Sequence, residues 1–493
     1  MRLQLVFSAL VLLFLNMLQA QEISAKVIDA KTKVPVAFAT VKTGENRGVI
    51  TNEEGSFLIN TEILDKETIE ISCMGYESKS ILVADLSDNQ TILLDAAINQ
   101  LETVFLTDNK PNVDSIIKRV NRNYKTNYKT DHLKYQFFKR ETSYAEFEKL
   151  ELEIDRASEF SKEQIRESNA ELRFIADEIK NSNSIRFDDY KGQLAVLDES
   201  NSKLNIDKAT EIHNSNENFS IEAIQEKAVG ITLKFLDTTQ TYKLKTGWFK
   251  IEDSLSLVEE NKKNKDTVET VSVESLKSAM LASIKEGYVG YESVLRTVLD
   301  ADSYDYQLEN AAFFNDELIY EIAFEPKRSS AKYIGKLYVS DKSFAVSKLD
   351  FKYADGKRGS KLNLRLVLGV KYIENVHQGT LIFRKAEDEH YVPRYIGNTT
   401  GKYIYVSRPL KFIENSADKN KTSLSFKLEG QVQEKTELLF ENVTRLDSNE
   451  FQAIETKESV IYERLRKYDA NKWTGGETLA PTEELRKFEV SEK

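Results

Sequence analysis

The chain has 493 residues, 40% hydrophobic and 30% charged, with a formal charge of −11. That length exceeds one ordinary core and suggests about three domains, and the balance is that of a globular chain. Acidic residues are spread along it and no Lys/Arg block forms a track, so nucleic acid is excluded as a partner and anionic lipid headgroups are disfavoured. Six prolines and 19 glycines leave little material for long flexible linkers.

The first twenty residues, MRLQLVFSALVLLFLNMLQA, place Arg2 before an apolar run to Leu18 and end on a small residue, Ala20. That is the order of a secretory signal peptide, expected over 1–20 and removed on export. The run is broken by Gln4, Ser8 and Asn16, and no basic stop-transfer cluster follows. No later stretch approaches the ~18 consecutive apolar residues of a membrane helix. Cys73 is the single cysteine, so no internal disulfide is expected even in an oxidising compartment.

Residues 22–106 read as short strands, among them AKVIDA, FATVKT, SFLIN, TIEISCM and TILLDA, with Gly, Asn and Asp at the breaks. This rhythm is that of a small β-sandwich. PNVDSIIKRVNRNY then brings Val113, Ile116, Ile117, Val120 and Tyr124 to helical spacing behind Pro111-Asn112, so a capped amphipathic helix opens the next unit. HLKYQFF (132–138) alternates like a strand, a second is expected within 144–154, and a helix over 161–181 has Ile165, Leu172, Ile175 and Ile179 inward. The polar stretch 201–218 is expected to be a mobile insertion. Strands resume with GITLKFLDT and TYKLKTGWFKI, and helices follow near 273–286 and 290–299.

From Tyr304 to about Val443 the text is almost continuously strand-like, with strict alternation at Leu318, Tyr320, Ile322 and Phe324. A large curved antiparallel meander with one wet face follows. The outward positions carry Lys and Glu in mid-strand, which excludes a membrane β-barrel with its apolar outer band.

Chemistry-bearing patterns are few. Glu374/His377 and Glu387/His390 repeat Glu-x-x-His, the ligand pattern of di-iron helix bundles. In a strand, residues i and i+3 point to opposite faces, so incidental strand histidines are the better account. His132 and His213 are isolated, and no zinc-hydrolase pattern is present. TNEEGSF (51–57) fails as a calcium loop, since Ile50 and Thr61 would fall at ligand positions, and is expected to be a hairpin turn. Cys73 alternates with Ile69 and Ile71 onto a core face and has no basic neighbour before Lys79, so it is core filler rather than a nucleophile.

The segment from VIDAKTKVPVAFATVKT to LDAAINQLETVFL resembles the carboxypeptidase regulatory-like domain, a transthyretin-type β-sandwich. The resemblance rests on Val27, Asp29, Pro35, Ala39, Val41, Gly48, Thr51, Gly55, Phe57, the Ser72–Gly75–Tyr76 group and the closing Leu94, Leu101 and Val104. It implies a non-catalytic module found at the N-termini of TonB-dependent transporters and other Gram-negative outer-membrane proteins. Its structural signature here is Pro35, Gly48, Gly55, Phe57, Cys73, Gly75 and Tyr76. The remainder is similar to the periplasmic part of such proteins, and GKLYVSDKSFAVSKLDF is similar to a curved-sheet lipoprotein-carrier architecture. YDANKWTGGETLAPTEELRKF resembles the closing Trp-containing segment of the same group.

The expected fold is mainly β with some α: a seven-stranded N-terminal sandwich, then an α+β region containing a large curved antiparallel sheet. The expected divisions are a signal peptide (1–20), the sandwich (21–107), a mixed region (108–300), the curved sheet (301–445) and a helical or irregular tail (446–493). The expected function is that of a non-enzymatic, exported Gram-negative envelope protein, periplasmic or outer-membrane-associated, that binds a protein, a glycan or an outer-membrane component. A carrier of a lipid or other apolar ligand is the alternative, and a hydrolase or peptidase the less favoured one. No cofactor, metal or catalytic residue is expected, and no nucleic-acid partner. In the module, Cys73→Ala or Val is expected to leave function intact, whereas Gly75→Val damages folding.

Overall fold

The structure, a computed structural model, describes residues 22–44, 48–60, 67–97, 111–181, 184–213, 236–237, 239–247, 249–256, 270–314, 317–386, 388–473 and 478–490. The signal peptide, most of GITLKFLDT, residues 214–218 and Glu387 lie outside the described residues.

Seven strands build the N-terminal unit: β1 (Glu22–Asp29), β2 (Thr40–Lys42), β3 (Gly48–Ile50), β4 (Ser56–Asn60), β5 (Thr68–Ser72), β6 (Lys79–Leu82) and β7 (Gln90–Leu94). They form two facing sheets, ordered β4-β1-β7 and β3-β2-β5-β6. Alternate side chains close the space between them, with Val27, Val41, Phe57, Ile69 and Ile71 fully buried and Cys73 8% exposed. The turn at 51–55 is not the expected hairpin. β3 and β4 belong to different sheets, so TNEEG carries the chain across the edge of the sandwich. Asn52 Oδ1 accepts from the backbone N–H groups of Glu54 and Ser56 at 3.0 and 2.9 Å. Gly55 sits at φ 75°, where a Cβ would also run into the Val27 carbonyl.

The chain continues through α1 (Val113–Asn127), β8 (Leu133–Ala157), α2 (Lys162–Asn181), β9 (Ser184–Val196), β10 (Ser202–His213), β11 (Thr241–Thr246), β12 (Phe249–Ser256) and β13 (Thr270–Ser272). Then come α3 (Val273–Ile284), α4 (Val294–Val298), β14 (Tyr304–Phe314), β15 (Glu317–Pro326), β16 (Tyr333–Ser340), β17 (Val346–Tyr353), β18 (Lys361–Leu364) and α5 (Arg365–Leu368). The last elements are β19 (Val370–Lys385), β20 (Tyr391–Glu414), β21 (Lys421–Arg445), α6 (Ser448–Ala453), β22 (Ser459–Ile461), β23 (Glu463–Arg464) and α7 (Glu483–Lys487).

Fourteen strands make one open sheet, with the main path β14-β15-β16-β17-β19-β20-β21-β8-β9-β10-β23. The division at 300/301 therefore separates no sheets: β21 pairs with β8 from Thr422–Ala157 to Arg445–Leu133. The two strands expected between 132 and 154 are one 25-residue strand, β8. Where the mobile insertion was expected at 201–218, the described part forms β10, paired with β9 and β23. Leu204, Ile206 and Ala209 join the main core, and Ile212 packs in a separate cluster on the opposite face. A bulge between Ile206 and Lys208 breaks the alternation and hides the strand from a period-two reading.

The inner face carries an apolar row, Ile322–Leu337–Leu349–Leu381–Ile396–Leu438, side by side on six neighbouring strands. Ile116, Ile117 and Val120 of α1, Met280 of α3 and Leu295 and Val298 of α4 pack on the same core. Asn112 caps α1 by accepting from Ser115 N–H at 2.9 Å. The protein's own helices thus occupy this face of the sheet.

Gly75 adopts φ 87°, a conformation that a β-branched residue resists. Gly75→Val is expected to cost about 1–3 kcal/mol in urea denaturation, whereas Cys73→Ala keeps a cooperative transition. Rapid labelling of native Cys73 by a bulky thiol reagent would contradict its placement. Glu211 supplies a pH test at the sheet edge. It accepts from Arg464 of β23 at 2.9 Å and Arg186 at 3.1 Å, with His213 at 3.5 Å. Burial pushes its carboxyl up, but hydrogen bonds from His213 and Arg464 bring it down to about 2. A lowered folded pKa contributes stability above the ordinary value of 4.5, lost as pH falls toward 2. Glu211→Gln should flatten the acid limb of the stability curve in that window, and an unchanged limb would refute the assignment.

Candidate functional site

The outer face of the large sheet carries a polar row that runs Lys336–Asp350–Thr380–Gly397–Glu437–Arg140–Asp189 across neighbouring strands. Alternation predicted this face to be wet. Half of it is covered, because the β-sandwich and the C-terminal tail sit on it, leaving Glu437, Arg140 and Asp189 at most 4% exposed. Buried charge on a sheet face is stable only when paired. Arg140 meets Asp189 in a two-pronged ion pair, Nε to Oδ1 at 2.8 Å and Nη2 to Oδ2 at 2.7 Å.

The remaining Arg140 donor, Nη1, reaches the Ala480 carbonyl of the tail at 3.1 Å. Asn52 of the sandwich turn donates through Nδ2 to the same carbonyl and to that of Pro481, each at 3.3 Å. One tail carbonyl thus joins the large sheet, the tail and the sandwich. Apolar contacts surround this point: Ile50, Phe138, Ile382, Leu439, Trp473 and Leu479 form one buried cluster drawn from all three parts. Phe138 and Trp473 meet edge to face at 5.2 Å. Further polar links are Glu53 to Lys435 at 2.8 Å, Glu483 N–H to Glu54 at 2.9 Å, and Arg394 to the Gly48 carbonyl.

Phe38, on the loop before β2, holds φ 60° and lays its ring on Tyr395 at 4.8 Å. The ring of Tyr395 occupies the space that a Cβ on Gly397 would need. This contact stands between two cavities that the sandwich and the sheet enclose together. The first, about 840 Å³, is lined by Glu53, Glu309, Lys336, Asp350, Gln378 and Lys435 among others. The second, about 990 Å³, is lined by seven lysines and arginines against two acids, Glu317 and Asp388. Lys42 of the sandwich and Arg384, Arg394 and Arg445 of the sheet belong to it, with Phe38, Phe383 and Tyr391 as aromatic wall.

The signature residues are distributed between core and dock. Phe57 is fully buried, Pro35 bridges to Ile28, and Tyr76 bridges to Ala96 with its hydroxyl bonded to Asp29. Gly48 offers its carbonyl to Arg394, and Gly55 closes the turn that presents Asn52. Cys73 edges the larger cavity, and burial pushes its thiol up, away from nucleophilic character.

The two Glu-x-x-His patterns fare differently. A bulge between Glu374 and Val376 puts Glu374 and His377 on one face, contrary to the plain alternation argument. They meet stacked tyrosines there: Tyr353 donates to Glu374 at 2.8 Å, and Tyr333 lies 2.9 Å from His377 Nδ1. Burial lowers the pKa of His377, so the ring is held neutral. His390 contacts Asp388. Among the described residues, no group of three His, Cys, Asp or Glu side chains is placed to hold a metal.

Residues 23–106 match the CarboxypepD_reg-like domain family, which agrees with the sandwich and its signature residues. That domain is regulatory and non-catalytic. No curated protein matches the chain. Among solved structures, a Bacteroides fragilis protein described as membrane-associated and of unknown function is 12% identical, over 86% of this chain and 97% of that one. The TM-score is 0.12, so the match carries no argument about fold or role.

Removing Asp189 leaves Arg140 buried without its partner, so Asp189→Ala is expected to cost about 3–5 kcal/mol in denaturant unfolding. Asn52→Ala should cost about 1–3 kcal/mol. Because Asn52 and Arg140 share the Ala480 carbonyl, a cycle of Asn52→Ala and Arg140→Met should show coupling above about 0.5 kcal/mol. Strict additivity would show that the shared carbonyl does not link them.

Proposed function

We propose that the protein is a non-enzymatic, exported envelope protein in which the sandwich and the large sheet hold an acidic envelope glycan between them. The observation that carries this is the larger cavity, lined by seven basic and two acidic side chains in a chain of formal charge −11. Lys348, Lys385 and Arg445 are ion-paired, with Asp350, Glu389 and Asp388, and the cleft keeps a basic surplus. Charge of that sign in a partly enclosed cleft concentrates anions. Phe38 adds an aromatic edge to the cleft, and the polar lining supplies directional hydrogen bonds. The sandwich supplies one wall and a strained Phe38, which supports a role for the module in shaping the cleft rather than acting alone. The N-terminal leader and the module's usual setting in Gram-negative envelopes support an exported location. An acidic segment of a partner protein is the competing occupant. The carrier alternative is less favoured, since α1, α3 and α4 pack on the inner face among the described residues.

The test is capture from an envelope extract, with mass spectrometry of glycans and proteins, for the wild type and for Lys42→Glu with Arg384→Glu. An acidic glycan should be enriched by the wild type and fall about tenfold or more with the charge reversals. Enrichment of a protein instead, or of the same glycan by both forms, would refute the proposal.

A further inference from the structure

Far from the sandwich, the chain forms a second surface whose chemistry differs from the rest. Arg408 lies fourteen residues beyond Arg394 along β20, roughly 45 Å at strand rise. Here β18, α5 and the start of β19 make a hairpin on β20, and β11 pairs with the same strand farther along. The tip of the hairpin is apolar and bare: Leu366 is 100% exposed, Val367 73% and Leu362 47%. Single exposed apolar residues are ordinary, but three on one short tip are not.

The charge around the tip is mainly basic. Residues 239–247, 361–373 and 396–413 contain eight lysines and arginines and no aspartate or glutamate, although Lys243 pairs with Asp253 and Glu429 of β21 accepts from Tyr403 beside them. The sequence scatters these stretches over 175 positions, and the sheet brings them to neighbouring strands. Between the two hairpins is a notch of about 260 Å³ lined by Arg365, Arg408, Thr246, Ser407 and the turn glycines Gly247 and Gly369. Arg365 stacks on Tyr405 at 4.2 Å, Lys371 lies over Tyr403 at 4.9 Å, and Arg408 donates to Thr246 Oγ1 at 3.4 Å. Neither guanidinium has a carboxylate ion-pair partner among the described residues. Two arginines and two hydroxyls around a small notch match the charge and hydrogen-bonding of a phosphate group.

We propose that this tip is a membrane-docking site: Leu366 and Val367 enter the acyl boundary of a bilayer, while Arg365 and Arg408 bind the phosphate of an anionic phospholipid. Tyrosine rings beside basic groups, set behind an apolar tip, suit the interface between headgroups and hydrocarbon. Charge complementarity selects the lipid surface over an apolar protein groove, for which a local surplus of positive charge would be a burden. The whole-chain acidity that disfavours anionic lipid does not apply locally, because screening confines each charge's reach to about 8–10 Å.

The test is co-sedimentation of the full chain with vesicles of phosphatidylethanolamine and phosphatidylglycerol, compared with phosphatidylcholine alone. Binding is expected to the anionic vesicles. It should fall about tenfold or more with Arg365→Glu plus Arg408→Glu, and likewise with Leu366→Asp plus Val367→Asp. Lys42→Glu in the distant cleft should leave it unchanged, which separates this site from the glycan cleft. A fluorophore on Val367→Cys, in a Cys73→Ala background, should shift to the blue on anionic vesicles only. No vesicle binding, equal binding to both vesicles, or binding undiminished in both double variants would overturn the proposal. So would loss of self-association, rather than of vesicle binding, in the apolar pair, since that would make a second copy the occupant.

Discussion

The Ala480 carbonyl accepts from Arg140 on one side and Asn52 on the other, and the arrangement of the molecule depends on that shared contact. Arg140 cannot be buried without Asp189, and the Arg140–Asp189 pair cannot be covered unless something satisfies the third guanidinium edge. The tail does so. Once the tail is in place it presents backbone oxygens to Asn52, and the sandwich has a fixed seat on the large sheet. The buried cluster of Ile50, Phe138, Trp473 and Leu479 supplies the apolar area, and the polar links set the orientation. Both cavities exist only because the seat is fixed.

Two faces of one sheet thus serve different ends. The inner face is a continuous apolar row that packs on the helices and holds the fold together. The outer face is polar, and the protein uses that polarity to position a second domain and to line a charged cleft. Farther along the same long strands the sheet carries a basic, apolar-tipped end. Strands of 24 and 25 residues let one element reach from the cleft to that tip.

Local signals were legible in the sequence and non-local ones were not. Strand alternation, the Asn112 cap and the i, i+3, i+4 spacing of Ile116, Ile117 and Val120 act within a few residues, and the sandwich, α1 and the antiparallel meander followed from them. Cys73 followed from its alternation with Ile69 and Ile71. The seat did not, because Asn52, Arg140 and Ala480 are separated by up to 428 positions and only the sheet register joins them. Bulges hid two further features. At Ile206/Lys208 a bulge disguised β10 as a loop, and at Glu374/Val376 another returned Glu374 and His377 to one face. The turn TNEEG was recognised as a turn, yet its role depends on the tail it touches. Arg140, flanked by Lys139 and Glu141 in a charged stretch, gave no sign of burial. A cation facing a core-length strand opposite an acid is the pattern that would have flagged it.

The central claim is that the sandwich is seated on the large sheet as one body. The most direct measurement is a distance distribution by pulsed electron spin resonance between labels at Leu82→Cys, exposed on the sandwich, and Tyr291→Cys, exposed on the helical layer, in a Cys73→Ala background. The shared Ala480 contact predicts a single narrow distribution that broadens when Asn52→Ala is added. A broad or bimodal distribution in the parent protein would contradict it.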